Sequence, residues 1–463
     1  MDLSVANTAL WNPILSFGIL AGVMLLSNAL LRKVEFLRKT LIPTAVLSGF
    51  IVLALRAFNW LPITPVFLET ITYHSLALGF IAMSLRVPTD TDPEFRKELT
   101  GLKSGAVIIG AYLVQGIAGL AITLLLSYTL CPGLFQAAGL LLPMGYGQGP
   151  GQANNVGSTY QALGFVGGQS FGLSIAAAGY LCACTVGVIY LAVLRKRGTV
   201  VVAEPEHLSG STTVDTFQQV NEIPISESVD RFSVQIALVI MVYLLAFLAS
   251  WGITALISAL SPGLANTLNP LIWGFNFIIG SLMAMLCRSL FKVLTKAKVM
   301  THQYPNNYLL NRISGATFDF MIICGIASID FSDLQGLWIP FLFLAIAGAI
   351  LTIYYLQWVC RKVYPNYYYE GFFSMYGMLT GTISSGVLLL REIDPFMKTP
   401  AANNLLAGSS FGILLGAPML VLIGIAPQST AMAFLTLGLM LIYFAAMALI
   451  IFKVGGREKK TQE

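Results

Sequence analysis

Two segments of this 463-residue chain concentrate residues suited to holding a small ligand. The first reads Tyr146-Gly147-Gln148-Gly149-Pro150-Gly151, followed by Asn154, Asn155, Ser158 and Thr159. The second reads Tyr376-Gly377-Met378-Leu379-Thr380-Gly381-Thr382, followed by Ser384 and Ser385, with Arg391 further on. Glycine lets the backbone approach a ligand closely. Uncapped N–H groups at a helix start attract an anion, and neutral carbonyl, amide and hydroxyl oxygens suit a hard cation such as sodium. On this reading Gly147, Gly149, Gly151, Asn154, Tyr376, Gly377, Thr380, Gly381, Thr382 and Arg391 are candidate substrate contacts. Asn155, Ser158, Ser384 and Ser385, with Asp319, are candidate ligands of a cation. Small residues also serve tight helix packing without any ligand, and for the glycines of 164–172 that is the preferred reading.

Ionisable residues inside apolar runs are functional candidates by default. Asp319 contributes to a cation site or is a hydrogen-bonded packing residue. His74 reads as a satisfied interior histidine in preference to a proton relay. Arg391 either meets a substrate carboxylate or marks a membrane boundary. Nothing here resembles a catalytic cluster: the chain has three histidines, two of them (His207 and His302) between apolar runs. No enzyme activity, catalytic residue or cofactor is expected; sodium would enter as a coupling ion.

The elements that must position these residues follow from composition. Hydrophobic residues make up 56% of the chain and charged ones 10%, whereas a soluble chain carries roughly a quarter charged. Lipid must therefore cover most of the surface. The net charge of +5 is spread in short Lys/Arg clusters between apolar runs, so it marks topology and no nucleic-acid partner. The six cysteines lack metal or disulfide spacing and read as small apolar fillers. The N-terminus shows no cleavable signal pattern, so the first apolar run reads as a true span.

Apolar stretches of spanning length fall at 10–31, 41–58, 70–85, 104–128, 168–194, 232–260, 271–286, 313–329, 337–359, 401–425 and 429–452. Segments 136–161 and 370–392 are too rich in Gly, Ser and Thr to be ordinary spans. Basic clusters face the cytoplasm. Arg32, Lys33, Arg38 and Lys39 follow the first span, Arg195-Lys196-Arg197 the fifth, Arg361-Lys362 the ninth, and Lys453, Arg457, Lys459 and Lys460 the last. This puts the N-terminus outside and the C-terminus in the cytoplasm, in a bacterial inner membrane. The same bookkeeping makes 136–161 a re-entrant hairpin from the outer face and 370–392 one from the cytoplasm. Of the 26 Lys and Arg residues, Arg56 alone is left outside.

Each half then reads as five spans with a re-entrant hairpin, in inverted orientation: 1–197 and 231–425. Between them 198–230 is an acidic cytoplasmic linker, and 426–463 adds an eleventh span and a basic tail. Sequence echoes support duplication: Leu41-Ile42-Pro43 against Leu268-Asn269-Pro270, Gly79-Phe80-Ile81-Ala82 against Gly325-Ile326-Ala327, and the two hairpin motifs against each other. The expected fold is an all-α polytopic membrane protein.

The paired hairpins, the Ile42-Pro43 start after Arg38-Lys39 and the Gly79/Gly325 signature resemble the glutamate:sodium symporter family over residues 10–425. The resemblance implies an elevator-type symporter, a homodimer, taking up glutamate or a related small carboxylated solute with sodium. The rival expectation is a passive channel, since channels also use paired re-entrant half-helices.

Overall fold

The computed structural model describes residues 2–39, 42–87, 100–199, 231–260, 269, 272–274, 276–300, 304–394 and 399–453. The acidic linker from residue 200 onward and the basic tail beyond Lys453 lie outside these residues. Every regular element among the described residues is helical. Among the described residues nine helices are long and apolar enough to cross a bilayer, and many carry large exposed apolar side chains along their length. The chain is therefore an all-α, multi-pass membrane protein.

Its helices start and stop where local chemistry dictates. Helix α1 (Thr8–Lys33) is capped by the Asn7 side chain, which accepts from the Leu10 N–H at 3.2 Å. Helices α2 (Thr44–Ala57) and α3 (Pro65–Leu85) begin directly after Pro43 and on Pro65, where a residue without an N–H removes no bond. The chain continues through α4 (Thr100–Tyr128), a 3-10 turn (Gln136–Leu140), a π turn (Pro143–Gly147) and α5 (Pro150–Ala162). Helix α6 (Gly168–Cys182) runs through a second π turn into α7 (Val188–Lys196). Then come α8 (Arg231–Leu260), α9 (Asn276–Lys296), α10 (Asn307–Ala327) and α11 (Trp338–Val363). A broken pair, α12 (Tyr368–Leu379) and α13 (Ile383–Arg391), precedes α14 (Ala401–Ile425) and α15 (Thr430–Lys453).

The chain divides into two units. The first comprises Met1–Glu69, Asp92–Glu204 and Ile322–Glu463; the second comprises Thr70–Thr91 and Pro205–Met321. Both broken-helix segments belong to the first unit. At its centre lies α4, with 72% of its apolar window buried against 22% for α1 and for α15. Helix α4 packs against α11, α14, α15 and the 3-10 turn, and glycines permit the approach. A Cβ at Gly105 would lie 2.7 Å from Phe411 Cβ. Gly119 and Gly139 bring their backbones together, each one's Cβ position colliding with the other's carbonyl.

Arg195 at the end of α7 donates to both the backbone oxygen (2.7 Å) and Oε2 (2.8 Å) of Glu392 just after α13. Both side chains are about a third exposed (35% and 33%). A double-mutant cycle over Arg195→Ala and Glu392→Gln should therefore return a coupling of roughly 0.2–1 kcal/mol in thermal unfolding. A coupling several times larger would contradict the exposed character of this pair.

In the second unit, α3 and α8–α10 form an apolar core of Ile81, Ala82, Leu85, Val239, Val242, Ala284, Leu310 and Ile313. Gly79 closes onto the ring of Phe318. His74 Nδ1 pairs with the Tyr243 hydroxyl at 2.6 Å, and Asn276 Nδ2 donates to the same oxygen at 3.3 Å. His74 thus has a polar partner within its own unit. Asp319 lies in this unit too.

Candidate functional site

The first broken segment bends at Gly149. Its φ of +85° and ψ of −173° define a conformation essentially reserved for glycine. The Gly149 N–H reaches back to the Gly145 carbonyl (3.1 Å) just after the π turn, while its own carbonyl accepts from Ala153 (3.2 Å) to open α5. Pro150 takes the first helical position, and no side chain caps this end. The second segment stops when the Thr380 N–H and Oγ1 both return to the Tyr376 carbonyl (3.1 and 2.7 Å). Thr382 is extended, and α13 starts after it, also without a side-chain cap. Each break thus ends in a helix N-terminus with unsatisfied N–H groups.

The two breaks meet within the first unit. A Cβ at Gly149 would lie 3.3 Å from Thr382 Cγ2, 3.4 Å from the Gly381 carbonyl and 3.6 Å from the Tyr180 hydroxyl. A Cβ at Gly381 would lie 2.9 Å from Ser385 Oγ and 3.0 Å from Tyr180 Cδ1. Helix α6 reaches the same place, since a Cβ at Gly179 would strike the Thr380 carbonyl at 2.6 Å. From α10, Gly325 stands against Pro150, its Cβ position 2.8 Å from Pro150 Cβ. Several buried polar atoms here have no hydrogen-bond partner among the described residues: Thr382 Oγ1, Ser385 Oγ, both amide atoms of Gln152 and Oε1 of Gln115. Unpaired buried polar atoms are costly, so their concentration around one pair of chain breaks points to a ligand.

The expected site residues divide accordingly. Gly149, Gly381, Thr382 and Ser385 are brought together at the meeting point, and Gly151 lies buried in the first turn of α5. Gly147 is pressed between the Tyr112 ring and Gln115. Asn154 accepts from Gln169 Nε2 at 2.8 Å. Asn155 is buried on the same helix with its carbonyl bonded to Thr159 Oγ1 (2.8 Å), and Ser158 is half-buried there. Three others have structural partners. The Tyr376 hydroxyl sits 3.2 Å from Cys182 Sγ. The Thr380 hydroxyl proton is taken by the backbone. Gly377 packs the two arms of its own hairpin together, with a Cβ position 2.6 Å from the Ser385 carbonyl. The side chains of Ser384 and Arg391 lie outside the described ones, and Asp319 belongs to the other unit. Among the glycines of 164–172, a Cβ at Gly172 would lie 2.7 Å from the Ala153 carbonyl and one at Gly168 2.9 Å from that of Gly157.

Sequence reasoning passed over Gln152 and Gln115. Gln152 stood directly after the flagged Tyr146–Gly151 motif, third in its helix, and an uncharged amide at a helix start was a usable signal. Gln115 is one polar residue in a long apolar span. Glu69 was also missed, because α3 begins five residues earlier than its apolar run and takes Glu69 into its first turns, beside Gln169 and Arg56. On the loop after α10, the Asp330 carboxyl is held below the usual carboxylate range, chiefly by bonds from the Ser332 hydroxyl and N–H and further by Arg56.

Among the described residues no three His, Cys, Asp or Glu side chains converge as a metal site. What the arrangement offers is two uncapped helix starts, neutral hydroxyls and amides: a setting for an anionic group beside a weakly held cation. No protein-family model matches this chain, and no curated protein does either.

Proposed function

We propose that this chain is a sodium-coupled secondary symporter for a small carboxylated solute, with glutamate first among candidates. The observation that carries the reading is the meeting of two uncapped helix starts at Gly149 and Gly381–Thr382, amid buried polar atoms that have no hydrogen-bond partner among the described residues. Irregular backbone at membrane depth persists where it is enclosed by protein or lines a watered cavity. Inverted-repeat transporters place substrate and coupling ion at such breaks. Here N–H groups at the starts of α5 and α13, with the Thr382 and Ser385 hydroxyls, would receive the carboxylate. Both helix dipoles favour negative charge at that point. Backbone carbonyls and the side-chain oxygens of Asn155, Ser158 and Ser384 would supply oxygen ligands for sodium.

In this reading the two broken segments are re-entrant hairpins entering from opposite faces, within inverted repeats 1–197 and 231–425. The N-terminus faces outward and the C-terminus the cytoplasm, in a bacterial inner membrane. Both hairpins fall in one unit, as an elevator mechanism requires if they move together, and a homodimer would supply the static scaffold. The resemblance of motif order to glutamate:sodium symporters supports the choice of solute.

Purified protein in sealed vesicles should accumulate glutamate above its external concentration when an inward sodium gradient is imposed. Equilibration without accumulation would favour the passive channel instead. Full-rate accumulation in sodium-free medium, with no pH gradient, would exclude sodium coupling.

A further inference from the structure

Gln115 stands in the middle of α4 with 0% of its surface exposed. Its Nε2 donates to Thr352 Oγ1 on α11 (2.8 Å) and to the Leu379 carbonyl at the end of α12 (3.1 Å). Thr352 directs its own proton to the Gly348 carbonyl (2.7 Å), so its oxygen can only accept from Gln115. A backbone carbonyl can likewise only accept. These two neighbours fix the amide: the nitrogen must face Thr352 and Leu379, and Oε1 must face away from them.

What Oε1 faces is the first chain break. It lies 3.1 Å from the position a Cβ of Gly147 would take, and no donor among the described residues reaches it. Gly147 and Gly149 are two residues apart, at most roughly 7 Å between their Cα atoms, so this acceptor lies within roughly 12 Å of the tip. One small molecule can touch both places. The tip presents N–H donors and hydroxyls; Gln115 presents an acceptor whose only complement is a donor or a cation.

We propose that Gln115 Oε1 is the acceptor for the positively charged group that enters this site with the carboxylate, either the substrate's ammonium or a sodium ion. This deepens the symporter reading and rests on it. Both sources need the same thing from the protein, a fixed neutral oxygen, and ligand titrations separate them.

The test follows thermal unfolding of the purified full chain in detergent, for wild type, Gln115→Met and Gln115→Glu. Sodium is titrated against choline at constant ionic strength. Glutamate and glutarate are then titrated; they share two carboxylates, but glutarate lacks the amino group. If Oε1 holds ammonium, wild type should prefer glutamate over glutarate by about tenfold or more, and Gln115→Met should abolish that preference while keeping its sodium response. If it holds sodium, Gln115→Met should shift the sodium midpoint by a similar factor and leave the glutamate-to-glutarate ratio unchanged. Either result supports the assignment. A Gln115→Met protein answering all three ligands as wild type does would overturn it. Should Gln115→Met not fold, Gln115→Glu retains an oxygen at this point and should strengthen the cation response; an unchanged response would also overturn it. A wild type indifferent to sodium and to both dicarboxylates would count against the symporter as well, whereas an indifferent variant beside a responsive wild type counts against Gln115 alone.

Discussion

Leucine in place of Gly149 is expected to abolish the sodium-driven uptake proposed for this chain while the protein still folds in the membrane. Two independent effects act at this residue. Its φ of +85° with ψ of −173° is a conformation in which any side chain costs roughly 1–3 kcal/mol. The side chain would also project toward Thr382 Cγ2 and the Gly381 carbonyl, which a Cβ alone already approaches to 3.3 and 3.4 Å. A branched chain there must separate the two breaks or occupy the space between them, and either outcome removes the proposed carboxylate site. Alanine at the same position carries the backbone cost with little of the bulk, so it should reduce uptake by about tenfold, equivalent to about 1.4 kcal/mol. Vesicle uptake normalised to inserted protein, read beside unfolding midpoints, separates loss of transport from loss of fold. Gly252→Leu is the control: its Cβ position meets nothing within 4 Å. Wild-type uptake by Gly149→Leu would sink the placement of the site.

The second large effect concerns stability. Alanine within a helix usually gains up to about 1 kcal/mol over glycine, and at Gly412, where the nearest atom would be Ile108 Cγ2 at 3.7 Å, that gain should appear. At Gly119 the sign should reverse. There the new methyl meets the Gly139 carbonyl, part of a 3-10 turn that cannot swing aside. Thr123 holds that turn from both ends, donating to the Gln136 carbonyl (2.6 Å) and accepting from the Gly139 N–H (3.3 Å). Overpacking against fixed backbone costs typically 1–3 kcal/mol, enough to lower the unfolding midpoint by several degrees. Gly139→Ala should behave alike, because its methyl meets the Gly119 carbonyl. Equal midpoints for Gly119→Ala and Gly412→Ala would contradict the close approach of α4 and the turn.

Much of the architecture was legible in the sequence because a bilayer imposes coarse rules. A run of some twenty apolar residues has one inexpensive fate, so the helices at Thr8–Lys33, Trp338–Val363 and Thr430–Lys453 lie where the composition put them. The chain breaks were legible for a related reason: Gly149-Pro150 and Thr380-Gly381-Thr382 cannot continue a helix cheaply, and their flanks are too polar for ordinary spans. The start of α3 was misjudged because apolarity marks what lipid tolerates, whereas Pro65 marks where the helix begins.

The roles of individual polar residues were less legible. Gly377 and Thr380 sit in a motif that composition alone assigns to ligand contact; the structure adds that Gly377 also packs its hairpin together and that the Thr380 hydroxyl donates to the backbone. Asp319, flagged for a cation because a charge within a span is rare, belongs to the second unit.

Taken alone, then, the amino-acid order determined the membrane environment, the helices and the two weak points where helices must break, since each depends on short-range chemistry within a dozen or so residues. Only the tertiary structure decided that those breaks meet, that the Gln152 amide is buried with no partner among the described residues, and that the Gln115 amide has a single permitted orientation. That orientation is imposed by Thr352 and Leu379, 237 and 264 residues further along the chain. A hydrogen bond reads distance in space, and a linear pattern holds no record of which distant acceptor will claim a given donor.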